Sequence, residues 1–340
     1  MICLIYKFCT KYFASVHFLK SLFPQICESF QPDNIRQRHN GVRDLPKPAV
    51  GFAIAFHTAK GVIGSMIMDE YLLNVPEYLA RIGIREPVCA DEASLIRLTR
   101  AHLEAVPFEN LEICCQRREP SLEPRDLYMK IVVGRRGGYC FELNKLFFLL
   151  LKELGFQCRS IPARVVHHRT EPRPISHRAI LVALGDETWL CDVGFGGAGP
   201  KGAIRMNISE PQCIFGEEFS VSIDHRIYAG EYVLSRREEG RWEPVLVLKD
   251  EPWLEADFNT LNSYYATYPR SPFLLKRVLY RCTPDGWISL VGNTFTAVAG
   301  TNRQIVELQA EQQLQEIIEH RFGLCLKQST APTLPLSNTL

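Results

Sequence analysis

One run sets the terms for the rest of this chain: CFELNKLFFLLLKEL, Cys140 to Leu154. Wound as a helix, its residues Phe141, Leu143, Leu146, Phe147, Leu149, Leu150 and Leu154 cover most of the circumference. A helix that is apolar nearly all round must be enclosed by other elements. Gly137 and Gly138 precede it and let the backbone turn sharply, while Gly155 closes it. A chain of 340 residues, 46% hydrophobic, has enough material to surround it and to divide into two or three domains.

The helix start is the chemically interesting end. Cys140 falls in the first turn, where unpaired N–H groups and the positive end of the dipole favour a thiolate. The same groups can hold a developing oxyanion. The alternative is a plain buried core thiol, a common fate for free cysteine. A partner base decides between them.

The sequence around this run changes character along its length. From Asp69 to about Leu154 apolar residues recur at helical spacing. VPEYLARIGI carries Pro76 at a first-turn position, and Asp91 can cap EASLIRLTRAHLEAV, which ends at Pro107. From Cys158 onward, short apolar runs (ARVV, RAILVAL, TWLCDV, EYVLSRR, WEPVLVL) are separated by Gly, Pro and Asp. Strands without intervening helices imply an antiparallel sheet or barrel. A loop is expected over Tyr264 to Pro272, then two strands about the turn TPDG, Thr283 to Gly286. A final helix places Leu314, Ile317, Ile318 and Phe322 on one face and ends at Gly323.

The base candidate comes from the strand run HRAILVAL, followed by ETWLCDV across Gly185-Asp186. A two-residue loop pairs Leu184 with Glu187, and counting outward sets Ala179 opposite Asp192 and His177 opposite Gly194. His177 and Asp192 then share a face as diagonal neighbours and can hydrogen-bond. An imidazole so held can take a proton from a thiol, which makes Cys140, His177 and Asp192 a candidate nucleophilic triad. The same three residues could hold zinc, but three ligands without dense Cys/His spacing argue poorly for it.

Other signals rank lower. His167 and His168 are adjacent, so on a strand they point to opposite faces and both are expected to be solvated. Cys191 alternates away from Asp192 and is expected to pack, and Cys114 and Cys115 lie in a polar stretch. GFGGAG, Gly194 to Gly199, matches a dinucleotide fingerprint, yet Pro200 and KGAIRMN give no helix after it. It reads as a loop whose amides could cradle cofactor phosphates.

Twelve scattered cysteines with no CxxC pair read as reduced thiols of a cytoplasmic protein without a structural zinc. A formal charge of +1 gives no argument for a nucleic-acid partner, and no apolar run approaches a membrane span. Residues 1–65 carry eight Lys/Arg against three acids. They read either as a targeting peptide or as an extension ahead of a working chain that starts at Met66 or Met68.

With these residues in hand the chain resembles the arylamine N-acetyltransferases, over about Met66 to Leu326. Arg136-Gly137-Gly138-Tyr139-Cys140-Phe141-Glu142-Leu143-Asn144 follows that family's RGGxCxExN pattern, and AVPFENL, CDVGFG and NSYYATYPRSPF add further stretches in order. The resemblance implies an α+β fold: a helical domain (66–157), an antiparallel β-barrel (158–270) and an α/β lid (271–326), with a tail at 327–340. It implies Cys140 as acetyl-accepting nucleophile, His177 as base and Asp192 as its orienter, with acetyl-coenzyme A as donor and no metal. Phe108 and Phe195 would line the pocket for an aromatic amine or hydrazine. Gly196, Gly197, Tyr264 and Ser271 would lie near coenzyme A, and Glu109, Arg136 and Asn144 would support the catalytic helix. The stretch HHRTEPRPIS departs from the glycine-containing pattern usual there. Rival readings are a cysteine hydrolase or transglutaminase-like enzyme using the same triad, an amide synthase on the same fold, and a binding module without catalysis.

Overall fold

The computed structural model describes residues 73–208 and 210–324. The expectations for residues 1–65 and 327–340 lie outside the described residues.

Capping residues set the first helices. Helix α1 (Val75–Arg81) starts at Asn74, whose side chain accepts the Glu77 N–H, with Pro76 in the first turn. Helix α2 (Glu92–Ala105) starts at Asp91, which accepts the Ser94 N–H at 2.8 Å. Strand β1 (Phe108–Glu109), helix α3 (Leu111–Cys114) and helix α4 (Pro124–Tyr128) follow, and α4 runs on into a π-helical turn over Met129–Val133. These surround helix α5 (Cys140–Glu153), on which Phe141, Leu143, Leu146, Phe147 and Leu150 are fully buried. Burying each such side chain is worth about 1.5–3 kcal/mol, so α5 is the axis of this part of the fold.

Eight strands make an antiparallel sheet in the order β5-β4-β3-β2-β9-β8-β7-β6. They are β2 (Gln157–Val165), β3 (His177–Leu184), β4 (Glu187–Cys191), β5 (Ile204–Arg205), β6 (Gln212–Ile214), β7 (Glu217–Ile223), β8 (Tyr232–Glu238) and β9 (Arg241–Leu248). The β3–β4 hairpin pairs Leu184 with Glu187 and Ile180 with Cys191, the register its two-residue loop demands. The sheet curls until its two edges meet. There the Gln212 side chain accepts the Arg205 N–H at 2.9 Å and donates to the Arg205 carbonyl at 2.8 Å, so one amide stands in for a ladder between β5 and β6. Ile161, Leu181, Leu190, Phe219, Leu234 and Leu246 fill the interior.

A second, five-stranded sheet runs β1-β10-β11-β12-β13, with β10 (Val278–Thr283), β11 (Gly286–Val291), β12 (Thr294–Ala299) and β13 (Asn302–Glu307). Its first strand comes from the helical part of the chain, Phe108 facing Tyr280 and Glu109 facing Leu279. The last helix, α8 (Glu311–Glu316), continues as a π-turn over Ile317–Arg321 and buries Leu314, Ile318 and Phe322 on this sheet.

The sequence reading needs four corrections. Tyr264 to Pro272 is a loop only over 268–271: helix α6 (Glu255–Thr267) runs through its first four residues and the short helix α7 (Pro272–Leu275) begins at its last. Only Phe258, Asn262, Tyr265 and Ala266 of α6 are buried, a stripe too narrow and polar to announce a helix. Four strands, not two, precede the last helix. Cys114 is buried with Leu279, Ile288 and Phe295 rather than lying in a polar surface stretch, and Cys115 packs beside it. His167 and His168 sit beyond the end of β2 in a turn, where strand alternation does not apply.

Candidate active site

The entry to α5 is built by close backbone approach. A Cβ on Gly137 would lie 2.0 Å from the Pro107 carbonyl oxygen, so only glycine fits. This lets Gly138 pair with β1, its carbonyl accepting the Glu109 N–H at 2.9 Å. Arg136 then reaches the buried Glu109 carboxylate at 2.6 Å. One turn on, Glu142 caps the helix by accepting the Tyr139 N–H at 3.1 Å and takes Lys130 Nζ at 2.7 Å. Burial pushes the Glu142 carboxyl up to about 7, with Lys130 opposing the rise. Lys130 also binds Glu112 at 2.6 Å, so one ammonium serves two carboxylates.

Cys140 emerges from this frame 2% exposed. His177, at the start of β3, places Nε2 2.6 Å from Asp192 Oδ2, while the Cys140 sulfur, near enough to act on the ring, lies 4.0 Å from the Ser176 carbonyl one residue before it. Burial works to lower the His177 pKa, but the Asp192 charge, its hydrogen bond and the Cys140 sulfur outweigh that and raise it to about 10.

Asn144, one turn beyond Cys140 on the same helix face, locks the two halves together. Its Nδ2 donates to Asp192 Oδ1 at 2.9 Å and to the Arg178 carbonyl at 2.5 Å, and its Oδ1 accepts the Val193 N–H at 2.9 Å. The Gly194 N–H gives Asp192 Oδ1 a second donor at 2.9 Å. Gly194 is itself pressed on the helix, since a Cβ there would lie 2.8 Å from Cys140 Cα. The thiol, the imidazole and the carboxylate therefore come together through α5, β3 and the end of β4.

A matching family model gives this geometry a context: the N-acetyltransferase model matches residues 92–331. The chain belongs to the arylamine N-acetyltransferase family. An arylamine N-acetyltransferase / N-hydroxyarylamine O-acetyltransferase of Salmonella typhimurium is 32% identical over 234 residues, 68% of this chain and 82% of the relative. The solved structure of the arylamine N-acetyltransferase from Salmonella typhimurium superposes with a TM-score of 0.69 at 30% identity, covering 74% of this chain and 90% of that one. A Mycobacterium marinum arylamine N-acetyltransferase in complex with CoA shares the fold at a TM-score of 0.69 and 24% identity, over 74% and 93% of the two chains.

The remaining candidates divide. The Phe195 ring stands edge-on to His177 with centroids 5.8 Å apart, and Phe108 packs so close that a Cβ on Gly196 would meet its ring at 2.5 Å. Gly196 and Gly197 line a cleft of about 460 Å³ together with Arg236, Arg237, Tyr280 and Trp287. Glu217 and Glu238 line it too, and Arg236 pairs with Glu238, so the wall carries both signs of charge. Tyr264 and Ser271 do not line it. Tyr264 is exposed and stacked on Tyr268, and Ser271 is buried, donating to the Tyr265 carbonyl at 2.6 Å and accepting the Phe273 N–H.

Sequence reasoning missed Lys130 and Tyr265. Lys130 sits in a π-helical turn with no motif to mark it. The Tyr265 ring stacks on Phe141 and its hydroxyl donates to the Ile175 carbonyl, two residues before His177. The unassigned helix α6 hid it.

Proposed function

We propose that the chain moves an acetyl group from acetyl-coenzyme A to the nitrogen of arylamines or arylhydrazines, or to the oxygen of N-hydroxyarylamines, by a ping-pong route through Cys140. The carrying observation is the buried His177 imidazole held at 2.6 Å by Asp192, with the buried Cys140 sulfur close enough to act on its pKa. With its pKa raised to about 10, the His177 ring is basic enough to take the proton of an attacking thiol. The sulfur attacks the thioester carbonyl, coenzyme A leaves with the proton that His177 returns, and an acetyl-cysteine remains. Thiol–thioester exchange is chemically balanced, and the α5 dipole supports the oxyanion between the two thiols.

An amine then attacks the acetyl group while His177 accepts its proton. Phe195, edge-on to His177, and Phe108, packed against Gly196, supply apolar ring surface for an aromatic acceptor. The near-complete burial of Cys140 restricts water and favours transfer over hydrolysis. Support for the donor comes from the cleft beside Gly196 and Gly197 and from a protein of the same fold whose structure is in complex with CoA. Initial-rate measurements varying acetyl-coenzyme A and an arylamine together test this. Parallel double-reciprocal lines are expected, and intersecting lines would exclude the covalent route.

A further inference from the structure

We infer that His167, His168 and Glu238 form a binding site for a divalent transition ion of the zinc class on the wall of the cleft. The three offer one ligand atom each, and those atoms lie within 4.8 Å of one another. What brings adjacent histidines to one side is the turn after β2. His168 has φ 52°, a left-handed conformation in which histidine is enriched among non-glycine residues. The two rings come to lie 3.8 Å apart between centroids.

The distances suit a tetrahedral ion. With metal–ligand bonds of about 2.0–2.1 Å, neighbouring ligand atoms stand about 3.3 Å apart. His168 Nε2 lies 3.4 Å from Glu238 Oε2, close to that spacing, and His167 Nε2 lies 2.8 Å from the other oxygen of the same carboxylate, Oε1, with the three ligand atoms all within 4.8 Å. Arg236 donates from its Nε to Oε1 at 2.9 Å, the oxygen that also faces His167 Nε2. Oε2, on the His168 side, is the oxygen that an ion can take without displacing Arg236.

A second observation points the same way. The other nitrogen of His168, Nδ1, lies 3.3 Å from Glu243 Oε1, and that oxygen also accepts the His168 backbone N–H at 3.1 Å. A carboxylate holding the far side of an imidazole is the outer support that metal-binding histidines use to fix tautomer and ring direction. Two imidazoles and a carboxylate are the donor set that takes zinc and its neighbours, and three protein ligands leave a fourth position open. His167 and Glu238 both line the cleft that reaches Gly196 and Gly197. An ion here adds positive charge and an open coordination position to that wall.

The test is titration of the full chain with Co²⁺, followed by its visible absorption, against His168→Ala and Glu238→Gln. His168 is largely exposed, so its variant keeps the fold. Because thiols elsewhere can also take Co²⁺, the reading is the difference between parent and variants. The parent is expected to bind one equivalent more, or that equivalent at least about tenfold more tightly. The difference spectrum should show nitrogen and oxygen ligation without a sulfur charge-transfer band. Equal binding by the parent and His168→Ala, or a difference spectrum dominated by sulfur ligation, overturns the assignment.

Discussion

Replacing Asn144 with alanine is the sharpest structural perturbation of the site, because this side chain touches the carboxylate and two strands at once. The change leaves the Arg178 carbonyl and the Val193 N–H without the partners they have at 2.5 and 2.9 Å, in a residue environment closed to water. Orphaning each buried group costs roughly 1–3 kcal/mol, and better helix propensity returns about 0.7 kcal/mol or less. The balance is a destabilisation of about 3 kcal/mol. Asp192 Oδ1 keeps only the Gly194 N–H, so the imidazole is less firmly set and the first acetylation step should slow by about 10–100-fold. Urea unfolding followed by circular dichroism, with the slope m unchanged, reads the first number. Single-turnover release of coenzyme A reads the second. A loss below about 1 kcal/mol together with an unaltered rate would refute the reasoning.

Removing Lys130 as Lys130→Met strands Glu142 and leaves Glu112 with Arg118 alone, and breaking a buried pair this way costs about 3–5 kcal/mol. Because Glu142 already holds its proton up to about 7, the loss should shrink in acid and grow above neutrality; equal loss across that range would contradict the account. His177 has a raised pKa, so its contribution to stability is full below its unfolded value near 6.5 and is lost as the pH rises through about 10. His177→Gln should accordingly flatten that alkaline decline in thermal unfolding, and an unchanged decline would argue against the pairing. Gly194→Ala puts a Cβ 2.8 Å from Cys140 Cα, and acetylation should fall at least tenfold with the barrel intact by circular dichroism; a fully active variant would show that this approach is not required.

The parts of the fold that repeat a simple period were legible. Helix α5 announced itself by apolar residues all round, and the Gly185-Asp186 loop fixed the β3–β4 register that sets His177 beside Asp192. What escaped depends on contacts between residues far apart in the chain. Strand β1 is two residues long and exists because Tyr280 and Gly138 flank it. Gln212 closes the barrel with a side chain, which no strand pattern encodes. The turn at His168 inverted the expectation for two neighbouring histidines, since alternation holds only while the chain stays extended. Lys130 carried no signal at all, because its two carboxylates lie 18 and 12 residues away.

The account turns on the sulfur of residue 140 carrying the acetyl group. Mixing the full chain with acetyl-coenzyme A in the absence of an acceptor, then mapping the added mass by peptide, should find a single acetyl on Cys140 that disappears when an arylamine is added. Acetyl on another residue, or an unmodified chain that still acetylates the amine, would contradict it.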